Sequence, residues 1–302
     1  MKFKDIVKKI KTLEIQGAEN VAIEGAESLL LVLKHSKAVT REALVAELYH
    51  ARDDLIKARP TEPCLRNALY YIFENIYSYD DEHSLYKGIS TRIKEVSAFF
   101  HKSDEKISKY GASKIRHHSV VFTHCHSSTI VSILKYAKKQ KKEFIVYNTE
   151  TRPLWQGRKT AIELSEAGIS IKHFVDSGAA IAMKDVHLCL FGCDAITEDK
   201  VYNKIGSGMF AELLKSRHIP LYICTNSWKY DPFVDKKHPE IVEERNFTEV
   251  WKGAPKKVEV EDPAFEAIPM KYISAFISEL GILSPKPFLQ EVKRKNKWMF
   301  RK

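Results

Sequence analysis

Long apolar runs are missing from this sequence. The plain aliphatic run at residues 29–33 is short, where a membrane-spanning helix needs about 18 or more. The first residues, Met1-Lys2-Phe3-Lys4-Asp5, lack the apolar segment of a secretory signal, so a cytoplasmic protein without membrane attachment is expected. Cysteine is sparse: five in 302 residues, an odd count with no familiar secreted spacing. That argues against a disulfide framework and for a reducing compartment. Glycine is sparse too, at 12. No G-x-G-x-x-G opens the first strand–helix unit, so a nicotinamide dinucleotide is not supported and no cofactor is expected. No basic stripe alternates with aromatics, which makes nucleic acid an improbable partner.

What the chain does have is positive charge, +10 at pH 7, over an ordinary globular composition of 44% hydrophobic and 29% charged residues. An excess of this size points to anionic partners, with phosphorylated metabolites, nucleic acid and acidic protein surfaces as the classes. Basic clusters lie at Lys138-Lys139, Lys141-Lys142 and residues 293–302. A length of 302 residues exceeds what one core usually organises, so two domains are expected. Residues 1–112 read as a helical bundle. Val21, Leu29, Val32 and Leu33 share one face, Leu44, Leu48, Leu55 and Ile56 another, and Tyr70, Phe73, Ile76 and Tyr77 a third. Gly111 is the expected end of the last helix.

Residues 113–302 change texture. Short apolar runs at 120–122, 144–147, 171–175, 187–191 and 221–224 alternate with amphipathic stretches. This pattern predicts βαβ units and a Rossmann-like parallel sheet, with strands buried on both faces. A long loop is expected over about 231–262. Phe276, Ile277, Leu280 and Ile282 suit either core or an interface.

In such a sheet, ligands bind beyond the carboxyl ends of the strands. That rule selects Thr123-His124-Cys125-His126-Ser127-Ser128, Glu150-Thr151-Arg152-Pro153, Asp176-Ser177-Gly178, Gly192-Cys193-Asp194 and Thr225-Asn226-Ser227. Ser127 and Ser128 could hold a phosphate at a helix N-terminus or simply cap it. Cys125, just before that helix, could be a thiolate favoured by the dipole or a small buried side chain. Asp194 could be a partly desolvated acid or a structural loop carboxylate. His124, Cys125 and His126 are consecutive, and neighbouring residues of a strand face opposite ways, so no metal site is expected. Cys64, Cys189 and Cys224 read as structural.

Thr123-His124-Cys125, Glu150-Thr151-Arg152-Pro153, Gln156-Gly157, Cys193-Asp194 and Asn203-Lys204-Ile205-Gly206-Ser207 follow one another in an order that resembles a known superfamily. It contains the regulatory subunits of eukaryotic translation initiation factor 2B, methylthioribose-1-phosphate isomerase and archaeal ribose-1,5-bisphosphate isomerase. The resemblance extends over nearly the whole chain, including Gln16-Gly17-Ala18 and Arg59-Pro60-Thr61. It implies a homo-oligomeric aldose–ketose isomerase of nucleotide (AMP) salvage that converts ribose 1,5-bisphosphate to ribulose 1,5-bisphosphate. A nucleotide is a candidate effector. Cys125 and Asp194 are the implied catalytic pair. Gly17, Ala18, Arg59, Ser127, Ser128, Arg152, Asn203, Lys204 and Lys229 are the implied substrate contacts. The isomerases usually carry Arg where this chain has Gln16, and Asn where it has His126. Loss of a guanidinium should weaken phosphate binding. The alternatives are a non-catalytic, ligand-sensing initiation-factor-like subunit and a methylthioribose-1-phosphate isomerase.

Overall fold

A computed structural model describes residues 2–234 and 246–300. Met1, part of the expected loop at 235–245 and the last two positions of the basic C-terminal cluster lie outside them. The chain divides into two compact units, one of residues 1–102, 228–232 and 293–302, the other of 103–227 and 233–292.

The first unit is helical, as its apolar periodicity predicts. It contains α1 (Phe3–Lys11), α2 (Ala18–His35), α3 (Arg41–Ala58), α4 (Pro63–Phe73) and the first part of α5 (Glu82–Lys114). Local chemistry starts the helices. Thr40 accepts from Ala43 N at 3.2 Å to cap α3, and Pro63 opens α4 where no intrahelical donor is needed. Val21, Leu29, Leu33, Leu44, Leu48, Leu55, Phe73 and Ile76 are buried in one core, with Val32 and Ile56 packed against it. Tyr77 departs from its expected face and is exposed. The reason is that α4 stops at Phe73, and Asn75 turns the chain in the left-handed region before a short 3-10 turn. Residues 228–232 and the C-terminus complete this unit: Trp228 stacks on Phe99 and lies edge-on to Phe100 and Trp298, while Arg66 pairs with Asp231.

Gly111 does not end α5, which continues to Lys114. A Cβ at position 111 would meet Ile133 at 2.6 Å, so this glycine serves close packing instead of a helix stop.

The second unit follows with β1 (Ser119–Thr123), α6 (Ser128–Lys139), β2 (Phe144–Thr149), α7 (Gln156–Glu166), β3 (Ser170–Phe174), α8 (Ala179–Ala182), β4 (Leu188–Phe191), β5 (Ala195–Ile196), β6 (Lys200–Lys204), α9 (Ser207–Ser216), β7 (Leu221–Cys224), β8 (Phe265–Pro269), β9 (Ala275–Ser278), β10 (Gly281–Leu283) and α10 (Pro285–Lys295). Seven strands form the main sheet in the order β10-β9-β7-β4-β1-β2-β3. All neighbours are parallel except β10, which runs against β9. The expected Rossmann-like sheet is therefore present. β1 and β4 are buried throughout, as strands covered on both faces must be. β3 is the exception: it is an edge strand and mostly exposed. Phe276 and Ile277 belong to the core. A second, antiparallel sheet in the order β5-β6-β8 has no counterpart in the apolar pattern.

Candidate active site

The strand order reverses between β1 and β4. From β1 the chain builds outward through β2 and β3, then returns to place β4 on the other side of β1. Such a switch point opens a crevice at the carboxyl ends of the two central strands. Cys125 follows β1 and Asp194 follows β4, so the two chemically distinctive residues flank that crevice. The loops touch: a Cβ on Gly192 would lie 2.9 Å from Ser127 Oγ.

Cys125 is the one cysteine of the five that reaches the surface, and then only in part. Its backbone is left-handed, with φ 66°, an uncommon conformation for a residue with a Cβ. Neighbouring loops hold it there. Its N–H donates to Thr151 Oγ1 at 2.9 Å, and its carbonyl accepts from Thr160 Oγ1 at 2.9 Å. The loop bearing Thr151 is fixed in turn by Asp176 at the end of β3. Asp176 accepts from Thr151 N at 2.9 Å and Arg152 N at 2.8 Å. Arg152 itself is exposed, with its guanidinium 4.7 Å from the Trp155 ring centroid and donating to Val250 O at 3.2 Å.

Burial pushes the Cys125 thiol up to about 11, against the opposing pull of Lys204. This corrects the expectation that the helix dipole would favour a thiolate. Ser127 is the N-cap of α6, so Cys125 lies two residues outside the helix, and the dipole's influence fades within a turn of the end. Ser127 accepts from Ile130 N at 3.4 Å, the capping role; Ser128 is exposed on the first turn.

His124 turns inward. Its Nε2 lies 2.9 Å from the Ile205 carbonyl, which can only accept, so Nε2 carries the proton; Nδ1 then accepts from Thr149 Oγ1 at 2.6 Å. Burial lowers its pKa to about 4, leaving it neutral. His126 turns toward α7, 3.1 Å from Thr160 Oγ1. The two imidazoles thus engage different elements, and among the described residues no group of three metal-ligating side chains occurs.

Asp194 is partly exposed and its N–H donates to Tyr202 O at 2.9 Å, starting the hairpin of β5 and β6. That hairpin delivers Asn203 and Lys204, both largely buried. Asn203 Nδ2 donates to Ser207 Oγ at 2.9 Å and so fixes the start of α9. Lys204 is within electrostatic reach of Cys125 and His124. Cys125, Asp194, Ser127 and Lys204 therefore belong to one end of the second unit. Gly17, Ala18, Arg59 and Lys229 belong to the helical unit. There Gly17 caps α2, Ala18 is its first residue, and Arg59 caps the end of α3. Gln16 is exposed, its side-chain amide donating to Leu13 O at 2.7 Å. Sequence reasoning missed Thr160, a mid-helix threonine, and Glu279. The Glu279 carboxyl accepts from Ser227 N at 3.1 Å and is raised in pKa by burial. Neither position carries a distinguishing pattern in the sequence.

The model of the initiation factor 2 subunit family matches residues 14–285. The chain belongs to this family. A ribose 1,5-bisphosphate isomerase of Pyrococcus furiosus is 34% identical, with 98% of this chain and 95% of that protein aligned. A crystal structure of a Pyrococcus horikoshii protein, described as translation initiation factor eIF-2B, superposes with a TM-score of 0.82 at 26% identity, covering 94% of this chain and 98% of that one. The 5-methylthioribose 1-phosphate isomerase of the same organism also gives 0.82 at 26% identity, covering 98% and 88%. The proteins similar to this chain thus include some named as isomerases and some named as translation factors.

Proposed function

We propose that this chain is a cytoplasmic sugar-phosphate isomerase that converts ribose 1,5-bisphosphate to ribulose 1,5-bisphosphate in nucleotide salvage. The observation that carries the reading is the placement of Cys125 and Asp194 on either side of the switch-point crevice, in a chain 34% identical to a ribose 1,5-bisphosphate isomerase.

The chemistry needs one acid and one base. Phosphate on the anomeric carbon prevents ordinary ring opening. Burial makes the thiolate of Cys125 the minor form; in that form Cys125 takes the proton from carbon 2, the bond from carbon 1 to the ring oxygen breaks, and Asp194 protonates that oxygen. The product of this step is an enol. Asp194, now a carboxylate, takes the proton from the carbon 2 hydroxyl while the thiol returns its proton to carbon 1. The ketone forms and both groups are restored. No net oxidation occurs, so this acid and base suffice. Lys204 is the cation that supports the thiolate, and its charge also suits a phosphate. Ser127, Ser128, Arg152 and Asn203 are the further contacts proposed in the second unit. The helical unit carries its own anion-binding candidates in Arg59, Lys229 and the N–H groups of Gly17 and Ala18 at the start of α2.

Association into a homo-oligomer and control by a nucleotide belong to the same proposal. Exposed Val175, directly after the edge strand β3, and exposed Ile181 in α8 support association. Gln16 favours the non-catalytic reading, because it brings no guanidinium. The deciding assay incubates purified protein with ribose 1,5-bisphosphate or methylthioribose 1-phosphate and follows the ketose. Turnover of the bisphosphate should fall at least about a hundredfold in Cys125→Ser and Asp194→Asn. Unchanged turnover in both variants would sink the assignment. Binding without turnover in the wild type would establish the sensor reading.

A further inference from the structure

The backbone of Cys125 has its two polar groups answered by two threonine hydroxyls, from Thr151 after β2 and from Thr160 in α7. The Thr160 side is the more informative. A hydroxyl has one proton to give, and the Cys125 carbonyl can only accept, so the Thr160 proton is committed there. The contact of 3.1 Å between Thr160 Oγ1 and His126 Nδ1 must then run the other way, with the imidazole as donor. This fixes the proton of neutral His126 on Nδ1. His126 Nε2 stands 3.7 Å from Glu163 Oε1, beyond hydrogen-bond range. The imidazole is turned onto α7, and Thr160 is buried.

The geometry points to Thr160 and His126 as a positioning pair for Cys125: His126 sets the rotor of the Thr160 hydroxyl, and that hydroxyl holds the left-handed turn that aims the thiol. The inference rests on the isomerase reading for its kinetic consequence and on geometry alone for its effect on the thiol. His126 acts here only as a hydrogen-bond donor, so a carboxamide should serve in its place. The thiol faces Lys204 from β6, Asp194 from the turn after β4 and Asp176 from the end of β3. His126 faces Lys135 from α6 and Lys159 and Glu163 from α7. None of these is altered by the variants below.

Two readouts test the pair: kcat and KM for ribose 1,5-bisphosphate, and the pH profile of Cys125 alkylation by iodoacetamide, followed by peptide mass spectrometry. Thr160→Val keeps the shape and removes the donor. It should lower kcat about tenfold, as one lost hydrogen bond allows, leave KM within about twofold, and shift the alkylation profile. Thr160→Ser and His126→Asn should restore both readouts to within about threefold of wild type, whereas His126→Ala should resemble Thr160→Val. A wild-type alkylation profile in Thr160→Val overturns the proposal, as does failure of Thr160→Ser to rescue. Absence of turnover in the wild-type protein would remove the isomerase reading, and the alkylation profiles would then decide the positioning role by themselves.

Discussion

Protonating His124 costs the folded protein more than it costs the unfolded chain. Its side chain is 1% exposed, with both nitrogens engaged, and burial holds its pKa at about 4 against an ordinary 6.5. Above pH 6.5 the ring is neutral in both states and the contribution to stability is complete. As pH falls toward about 4, the unfolded chain takes up a proton that the folded protein refuses, and stability drops. The gap from 6.5 to about 4 corresponds to about 3 kcal/mol. Urea unfolding at pH 7.5 and 4.5 should therefore show wild type losing about 2 kcal/mol more than His124→Gln. Parallel losses in the two proteins would show that His124 is not held neutral. The same burial that keeps His124 neutral raises the pKa of the adjacent thiol, and Lys204 and the backbone N–H of His126 counter it.

At the scale of elements, the approach of α7 to β2 is set by one residue. A Cβ on Gly157 would stand 1.7 Å from the Thr149 carbonyl oxygen. Asn148 Nδ2 meanwhile donates to Gly157 O at 2.7 Å, and Gly157 N to Glu150 O at 3.2 Å. The helix start is pressed directly onto the strand's backbone, so no side-chain rotation can relieve an added methyl. Gly157→Ala should destabilise by at least about 3 kcal/mol in chemical denaturation. Gly178→Ala is the control: its nearest neighbour would be Val175 Cγ2 at 3.4 Å and its φ is −81°, so a change under about 1 kcal/mol is expected. Similar losses at both sites would refute the close approach. Because α7 also carries Thr160, a shifted helix start should disturb the alkylation profile of Cys125 as well.

Over the whole molecule, the charge is +10, and the proposed substrate would carry two phosphates. Long-range attraction of this kind is screened as the Debye length falls from about 30 Å at 0.01 M salt to about 8 Å at 0.15 M. Titration calorimetry across that range should show the Kd of ribose 1,5-bisphosphate rising several-fold, and a salt-independent Kd would argue against an electrostatic site. Ligand at a hundred times its Kd should also stabilise the fold by about 2.7 kcal/mol, visible as a raised Tm.

Much of this architecture was legible in the amino-acid order, because burial imposes a period. Helical faces such as Leu44, Leu48 and Leu55, and continuous runs such as 120–122, follow directly from which surfaces must leave water. Once the strands alternate with helices, the rule of the carboxyl ends places Cys125 and Asp194 near a crevice. The antiparallel sheet of β5, β6 and β8 escaped because β5 has only two residues and β6 pairs with β8 across a long separation in the chain: Lys200 lies opposite Pro269 and Asn203 opposite Glu266. The left-handed turn at Cys125 escaped too, since a cysteine carries no local signal for it. Three strands supply its supports: Thr151 follows β2, Asp176 follows β3, and Lys204 ends β6, with Thr160 added from α7. Sequence by itself determined the elements and the chemical groups. Only the tertiary structure decided the protonation of His124 and Cys125, because desolvation depends on what is packed around a group and not on its neighbours in the chain.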